Sequence, residues 1–431
     1  MPSEAPTSAF VWVWLPGASE PVVAGRLDEE GGESTFVYGR SYLERDDAIS
    51  LYTAELPLIE ERIRPLPELD APGCILDGRP DSWGQRVIMN RLIGAPAAVE
   101  TDPADLGLMT FLLRSGSDRS GALDFQESSE VYVPRAREAA TLSELASSAQ
   151  RVDEGIPLSP ALDDALLHGS SMGGARPKAL IDDGDRRLIA KFSSTSDTIA
   201  MVQGEYVAME LARRAGLNAA PVELAEALGR KALLVERFDR IPGSDERRAV
   251  LSALTMLRLN ELAGRWASYA DLAQIIRESF TAPAATLKEL FARITFNILV
   301  GNNDDHARNH AAFWDGNVLT LTPAYDICPQ VRSVGAVGQA MIIGADDGFK
   351  DSQVAGCVER CHVYQLSKAE AGEIVNRQIE TITENWDEVC DMAELPEADR
   401  NGFWKRQFLN DYALEGWTSP QPRPTPSRRD T

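Results

Sequence analysis

The hydrophobic pattern changes period several times along the chain. Phe10-Val11-Trp12-Val13-Trp14 is a strand-like run of aromatic and β-branched residues, and Asp28-Glu29-Glu30-Gly31-Gly32 further on is a turn cluster, so the segment from Phe10 to about Phe125 mixes strand-like alternation with turns. A proline-bearing stretch (Pro57, Pro65, Pro67, Pro72) runs into Pro80-Asp81-Ser82-Trp83-Gly84 and a helical segment from Gln85 to Leu92. From Glu127 to Pro160 the composition turns polar and rich in Ala and Ser, which predicts a connector with one helix. Lys178 to Ile181, the turn Asp182-Asp183-Gly184-Asp185 and Arg187 to Phe192 then predict a β-hairpin. A helix follows, with Ser196 or Asp197 as its cap, an apolar stripe at Ile199, Val202, Tyr206 and Met209, and a stop at Gly216. A strand from Lys231 to Glu236 comes next. Beyond Leu251 the pattern is mainly helical, including Asp271 to Phe280 and Leu287 to Val300. The Pro-, Ser- and Arg-rich end, Thr418 to Thr431, predicts disorder.

Composition narrows the function classes. The 431 residues, 44% of them hydrophobic, can fill two or three cores. A formal net charge of -23 repels phosphate backbones, so the chain is a poor nucleic-acid binder by itself and suits a basic protein partner. Five scattered cysteines do not form a disulfide framework, and Cys357, Cys361 and His362 lack the second ligand pair of a zinc site. The start MPSEAPTSAF lacks the features of a signal peptide, and no apolar run approaches the roughly 20 residues of a membrane helix. A cytoplasmic location is expected.

The chemistry concentrates in NILVGNNDDHARNH, where Asp304 and Asn309 are five residues apart, and in Tyr325-Asp326 beyond a short hairpin. Phosphoryl transfer from ATP needs one carboxylate to accept or orient the attacking hydroxyl, and an amide oxygen plus a second carboxylate to hold magnesium. Protein kinases space base and amide as Asp-x-x-x-x-Asn. Only Asp304 keeps that interval to Asn309; Asp305 is one residue short and is read as loop-shaping. By itself GNNDDH is an ordinary turn composition. Other parts precede it, in the order that kinases use. Gly169 to Ala175, with Gly173 and Gly174, is a small-residue turn through which backbone N–H groups can approach phosphates, although it matches no standard Gly-rich motif. Lys191 stands in an apolar strand and Glu205 on the next helix, the pairing that holds a lysine against the α/β-phosphates. Glu236 and Phe238, where the next strand ends, are placed at the adenine, with a surface salt-bridge strip as the competing reading of Glu236 to Arg240. Asp326 ends a strand where kinases carry the Asp of Asp-Phe-Gly, here followed by Ile327 and Cys328. His306 and His310 flank Asn309 as loop-shaping residues, because magnesium prefers oxygen; His306 is counted among the residues around the nucleotide.

At these residues the chain resembles the HipA family of toxin kinases. SSMGGARPKAL, RLIAKF, GEY, LLVERFDR, FNILVGNNDDHARNH and LTPAYDICP are similar to its core motifs, and SYLERDDAISL, AELPL and LDGRPDSWGQRVI to its first subdomain. The resemblance spans roughly residues 10 to 400. It implies an α+β, two-lobed protein-kinase-like fold with an extra β-rich N-terminal subdomain and an all-helical C-terminal lobe. The implied boundaries are residues 1–125, 126–240 and 241–417, with 418–431 as tail. It also implies a serine/threonine-protein kinase that uses ATP and Mg2+ and acts on an aminoacyl-tRNA synthetase to arrest growth. A HipB-like helix-turn-helix antitoxin would neutralise it and make the DNA contacts. By motif, Asp304 would be the base, Asn309 and Asp326 the metal ligands, Lys191 the phosphate clamp, and Ser171 the autophosphorylated serine of the Gly-rich loop, with neighbouring Ser170 leaving that position open by one residue. Arg176-Pro177 replaces the Gln-Glu of some members. A small-molecule phosphotransferase and a non-catalytic antitoxin corepressor remain the alternatives.

Overall fold

The computed structural model describes residues 6–94, 102–135, 140–154, 156, 176–194, 197, 199–331, 336–345 and 347–418. The Gly-rich turn with Ser170, Ser171, Gly173 and Gly174, the cap candidate Ser196 and the tail beyond 418 lie outside them.

The N-terminal subdomain is a four-stranded antiparallel sheet in the order β3-β2-β1-β4, built from β1 (Ser8–Val13), β2 (Val22–Glu30), β3 (Glu33–Tyr38) and β4 (Leu123–Gln126). Gly31 and Gly32 make the β2–β3 turn with positive φ, a conformation that L side chains resist. Helices α1 (Ser82–Ile93) and α2 (Gly107–Arg114) fill the excursion before β4. The connector carries α3 (Leu142–Asp153), started by a reciprocal capping box between Thr141 and Glu144.

A second antiparallel sheet follows, in the order β5-β6-β8-β7: β5 (Lys178–Asp183), β6 (Arg186–Phe192), β7 (Val222–Ala227) and β8 (Arg230–Glu236). Side chains alternate between its faces. Ala179, Ala190, Phe192 and Ala232 pack with Trp83 and Val87 of α1 and Leu145, Ala149 and Val152 of α3. Leu233 and Val235 instead join the main core with α4 (Met201–Arg214). Lys191 is in register with Lys178 on one side and Leu233 on the other, so both lysines belong to the α4 face. The α4 helix begins at Ala200, later than expected; Asp197 caps no helix but accepts from the Ser194 N–H and pairs with Arg176.

The C-terminal lobe, expected to be all-helical, is helical around one small sheet, β11-β10-β9, made of β9 (Ala249–Ser252), β10 (Ala311–Trp314) and β11 (Leu319–Leu321). Its main helices are α5 (Tyr269–Ser279), α6 (Pro283–Leu299) and α7 (Lys368–Met392). The apolar positions of α6 are buried almost all round, which places it at the centre of the lobe. It ends at Gly301, whose φ is +72°; a Cβ there would lie 2.8 Å from the Gln407 carbonyl. No helix among the described residues is long and apolar enough to cross a membrane.

Candidate active site

The α6 helix delivers the chain into residues 302–309, which cross the floor between the lobes. Asn302 Nδ2 donates to Asn297 Oδ1 at 2.9 Å, and a 3-10 turn (Ala307–Asn309) leads straight into β10. Asp305 is buried. Its carboxylate accepts from the Tyr269 hydroxyl and meets His310 Nε2 at 3.0 Å, and His310 holds it below its usual pKa against the opposing effect of burial. Asp304 next to it is exposed. Its Cα neighbours therefore point one carboxylate into the protein as an anchor and leave the other open to a ligand. The Asp304 carboxyl is nevertheless pushed up, first by partial desolvation and then by the Asp326 and Asp305 charges, while His306 opposes the shift. Asn309 Nδ2 donates to the Asp304 carbonyl at 3.3 Å, which leaves its amide oxygen for another partner. His306 donates its N–H to the Asp304 carbonyl at 2.9 Å and accepts from the Asn309 N–H at 2.8 Å. Its Nδ1 is buried with no partner among the described residues.

Opposite this loop, Lys191 projects from β6 and bonds Glu205 of α4 at 2.5 Å; its ammonium also bonds Asp326. Burial works against that charge, but the two carboxylates outweigh it and hold Lys191 above its usual value. The carboxylates respond in opposite directions. Burial pushes Glu205 up, its side chain being 5% exposed, whereas Asp326 stays more open at 39% and is lowered to about 2 because Lys191 outweighs its own desolvation. Asp326 sits at φ +59°, a left-handed conformation unusual outside glycine. Asn302 Nδ2 donates to its carbonyl at 3.4 Å, and two residues earlier Ala324 is held by a bond from the Ala220 N–H at 2.9 Å and one to the Asn218 carbonyl at 2.7 Å.

Phe238 packs between Phe313 and Tyr325, with ring centroids 5.8 and 5.5 Å away, at the side of the cleft that precedes Asp326. The Glu236 and Arg237 N–H groups are committed to the Pro221 and Arg187 carbonyls, both at 2.9 Å. The rest of this motif is no surface strip. Arg237, Asp239 and Arg240 are buried and bond Asp118 and backbone groups of the N-terminal subdomain.

Two groups at the cleft escaped sequence reasoning. Lys178 is 3% exposed, and burial together with the neighbouring Lys191 pushes its pKa down to about 8. The register of the hairpin, which sets it opposite Lys191, was the signal for it. The second group joins Asp77 and Arg79 of the N-terminal subdomain to the active loop. Arg308 lies 3.6 Å from Asp77, donates to Glu261 through Nε at 2.9 Å, and offers its carbonyl to the Tyr325 hydroxyl at 2.6 Å.

With this geometry in place, comparison with known proteins is decisive. Residues 170–386, half of the chain, match the HipA-like C-terminal domain. The chain belongs to the HipA family. A putative kinase, Y4mE, of Sinorhizobium fredii is 25% identical over 346 residues, covering 74% of this chain and 77% of that one. The serine/threonine-protein kinase toxin HipA of Shewanella oneidensis is 28% identical over 224 residues, 46% of this chain and 50% of that one. Among solved structures, the HipA chain in the Shewanella oneidensis complex of HipA, HipB and operator DNA superposes with a TM-score of 0.64 at 18% identity, over 92% of this chain and 93% of that one. The two-lobed HipA fold is thereby shown.

Proposed function

We propose that this HipA-family chain is an ATP-dependent serine/threonine-protein kinase that arrests growth by phosphorylating a protein hydroxyl, with an aminoacyl-tRNA synthetase as the target class. The observation that carries this reading is the Lys191 ammonium held between Glu205 and Asp326, across the cleft from the open carboxylate of Asp304. Asp304 accepts or orients the acceptor hydroxyl, and its raised pKa suits a base that must take a proton. Lys191, kept charged and aimed by Glu205, meets the α/β-phosphates, and Lys178 adds a second cation on the same face. Phe238 covers the adenine beside Glu236. Gly173 and Gly174 of the Gly-rich turn are the backbone groups assigned to the phosphates.

The donor set fits magnesium. The Asn309 amide oxygen and the Asp326 carboxylate are hard oxygen ligands, and a metal that shares its shell with phosphates and water needs no more from the protein. When bound, it would neutralise charge on the transferring phosphate. The Lys191 ammonium also pairs with Asp326. The relatives named as a toxin kinase and as a HipA–HipB–DNA complex support a HipB-like antitoxin as partner, with DNA reached through it. Ser171 is the proposed autophosphorylation site; a phosphate there adds about -1.5 to -2 charges beside the nucleotide and would expel the loop from the cleft.

The test compares the phosphoproteomes and growth of cells expressing wild type or Asp304→Asn. Loss of both new phosphosites and arrest in the variant supports the reading, whereas undiminished toxicity overturns it. Phosphate on Ser170 or Ser171 in wild type but not in the variant supports autophosphorylation.

A further inference from the structure

Leu262 is 82% exposed and Trp266 65%, the two most exposed large apolar side chains among the described residues. Single apolar residues on a surface need no explanation. These two stand four positions apart in residues 258–266, a segment tied directly to the active loop at Glu261 and, just past its other end, to residues 340–342, which also bond that loop. At one end Glu261 accepts from Arg308, which lies inside the Asp304–Asn309 loop, and a second arginine, Arg79, is 3.7 Å away. At the other end the Ile342 N–H donates to the Ala267 carbonyl at 2.9 Å, and the Ala340 N–H to the Asn303 carbonyl at 3.1 Å, one residue before Asp304. Asn260 Nδ2 adds a bond of 3.0 Å to the Glu68 carbonyl in the N-terminal subdomain. The two apolar side chains are thus presented beside the loop that carries the base, on a segment bonded to it.

Its charge is equally specific. The chain carries a formal net charge of -23. Yet Arg258 and Arg265 are exposed here and have no ion pair among the described residues, and Arg265 lies over the Trp266 ring at 5.5 Å. Glu261, the acidic residue between them, is already matched by Arg308 and Arg79. The complement of such a surface is an apolar side chain with carboxylates beside it. A tryptophan flanked by arginine is also the composition that anchors interfaces.

We infer that residues 258–266 form the docking ridge for the protein substrate and take an acidic, apolar segment of it. The inference rests on the kinase reading above. A segment seated on Leu262 and Trp266 is held in a fixed relation to Asp304, so the ridge orients the acceptor hydroxyl and selects which protein brings it.

The full-length protein is tested with dephosphorylated β-casein as an acidic, unfolded acceptor and myelin basic protein as a basic one. Both residues are exposed, so Leu262→Ala with Trp266→Ala leaves the core untouched; Arg265→Glu is the charge variant. We expect the KM for casein to rise about tenfold in each variant, with kcat and the KM for ATP within twofold of wild type and transfer to myelin basic protein unmoved. An unchanged KM for casein overturns the inference. So does a parallel loss of ATP affinity, or casein kinetics that hold while inhibition by a helix-turn-helix antitoxin is lost. A wild type that phosphorylates itself but neither acceptor also overturns it. No transfer at all, itself included, is instead the failure of the kinase reading.

Discussion

Two buried charge networks bracket β8, and they are completed in different ways. Beyond its end, Arg237 and Arg240 share Asp118 and Asp239, the Gly121 N–H donates to Asp239 at 2.8 Å, and the remaining guanidinium hydrogens reach the Arg119 and Gly121 carbonyls. Burial opposes the charge on both carboxylates, yet the arginines hold both well below their usual values, Asp239 at about 2. Beside its middle, Lys191 serves Glu205 and Asp326 together, and here the two carboxylates shift in opposite directions. Glu205 and Asp304 are pushed up, Lys178 is pushed down to about 8, and His306 keeps an unpartnered Nδ1. The first network is satisfied by the fold alone. The second sets its groups against one another, the pattern of a site whose groups are tuned for work.

The sharpest break in the comparison is Asp304→Asn. It should lower phosphoryl transfer by about 10²–10⁴-fold with the thermal midpoint held or raised, because desolvation and the Asp326 and Asp305 charges disfavour the carboxylate that is removed; single-turnover transfer and a melting curve measured together check it. Asp239→Ala should do the reverse. Leaving Arg237 and Arg240 short of a carboxylate in the interior costs about 3–5 kcal/mol, read from the urea midpoint, while Asp326→Ala costs the ligand-free protein less and removes the magnesium dependence of nucleotide binding.

Acid separates the networks. A carboxylate depressed in the folded state contributes stability that is complete above its unfolded value, about 3.9, and is lost as pH falls through the folded value. The Asp239 contribution should therefore fade between about pH 4 and 2, a limb that flattens in Asp239→Asn. Asp304 is raised, so the acid limb of the rate profile should lie above the ordinary aspartate range, at a pH where the fold is still intact.

Lys178 gives the smallest effect. Between about 8 and its unfolded value of about 10.4 the unfolded chain binds the extra proton, so ligand-free stability should rise with pH there by on the order of 1–3 kcal/mol. Thermal melts of Lys178→Met should lack that rise.

The parts of the site legible in sequence were those with a strong local pattern. The hairpin around Gly184, the α4 stripe and the Asp304-to-Asn309 interval all announce themselves within fifteen residues, and the structure brings Lys191, Glu205 and Asp326 into contact. What escaped was contact over long separations. Asp118 and Arg237 are 119 positions apart, so neither the adenine placement nor its competing surface strip foresaw a buried network. Lys178 drew no attention as a charged group, because its burial depends on a sheet face shared with Lys191 and covered by α4, which the local pattern does not reveal. The start of α4 was misjudged for a simpler reason: Asp197 offers the composition of a cap but spends its carboxylate on Arg176 and Ser194.

The N-terminal subdomain grips both halves of the cleft. Trp83 holds the β5 backbone and Gly121 holds Asp239 on one side, while Asp77 accepts from the Ser252 N–H and hydroxyl and Trp314 Nε1 donates to the Ser50 carbonyl on the other. Any rotation of one lobe against the other must therefore tear several buried bonds at once. Such a splint turns a breathing clamp into a fixed frame: the two lobes are held in one relation by a third body, and the spacing between Lys191 and the Asp304 loop is inherited from it.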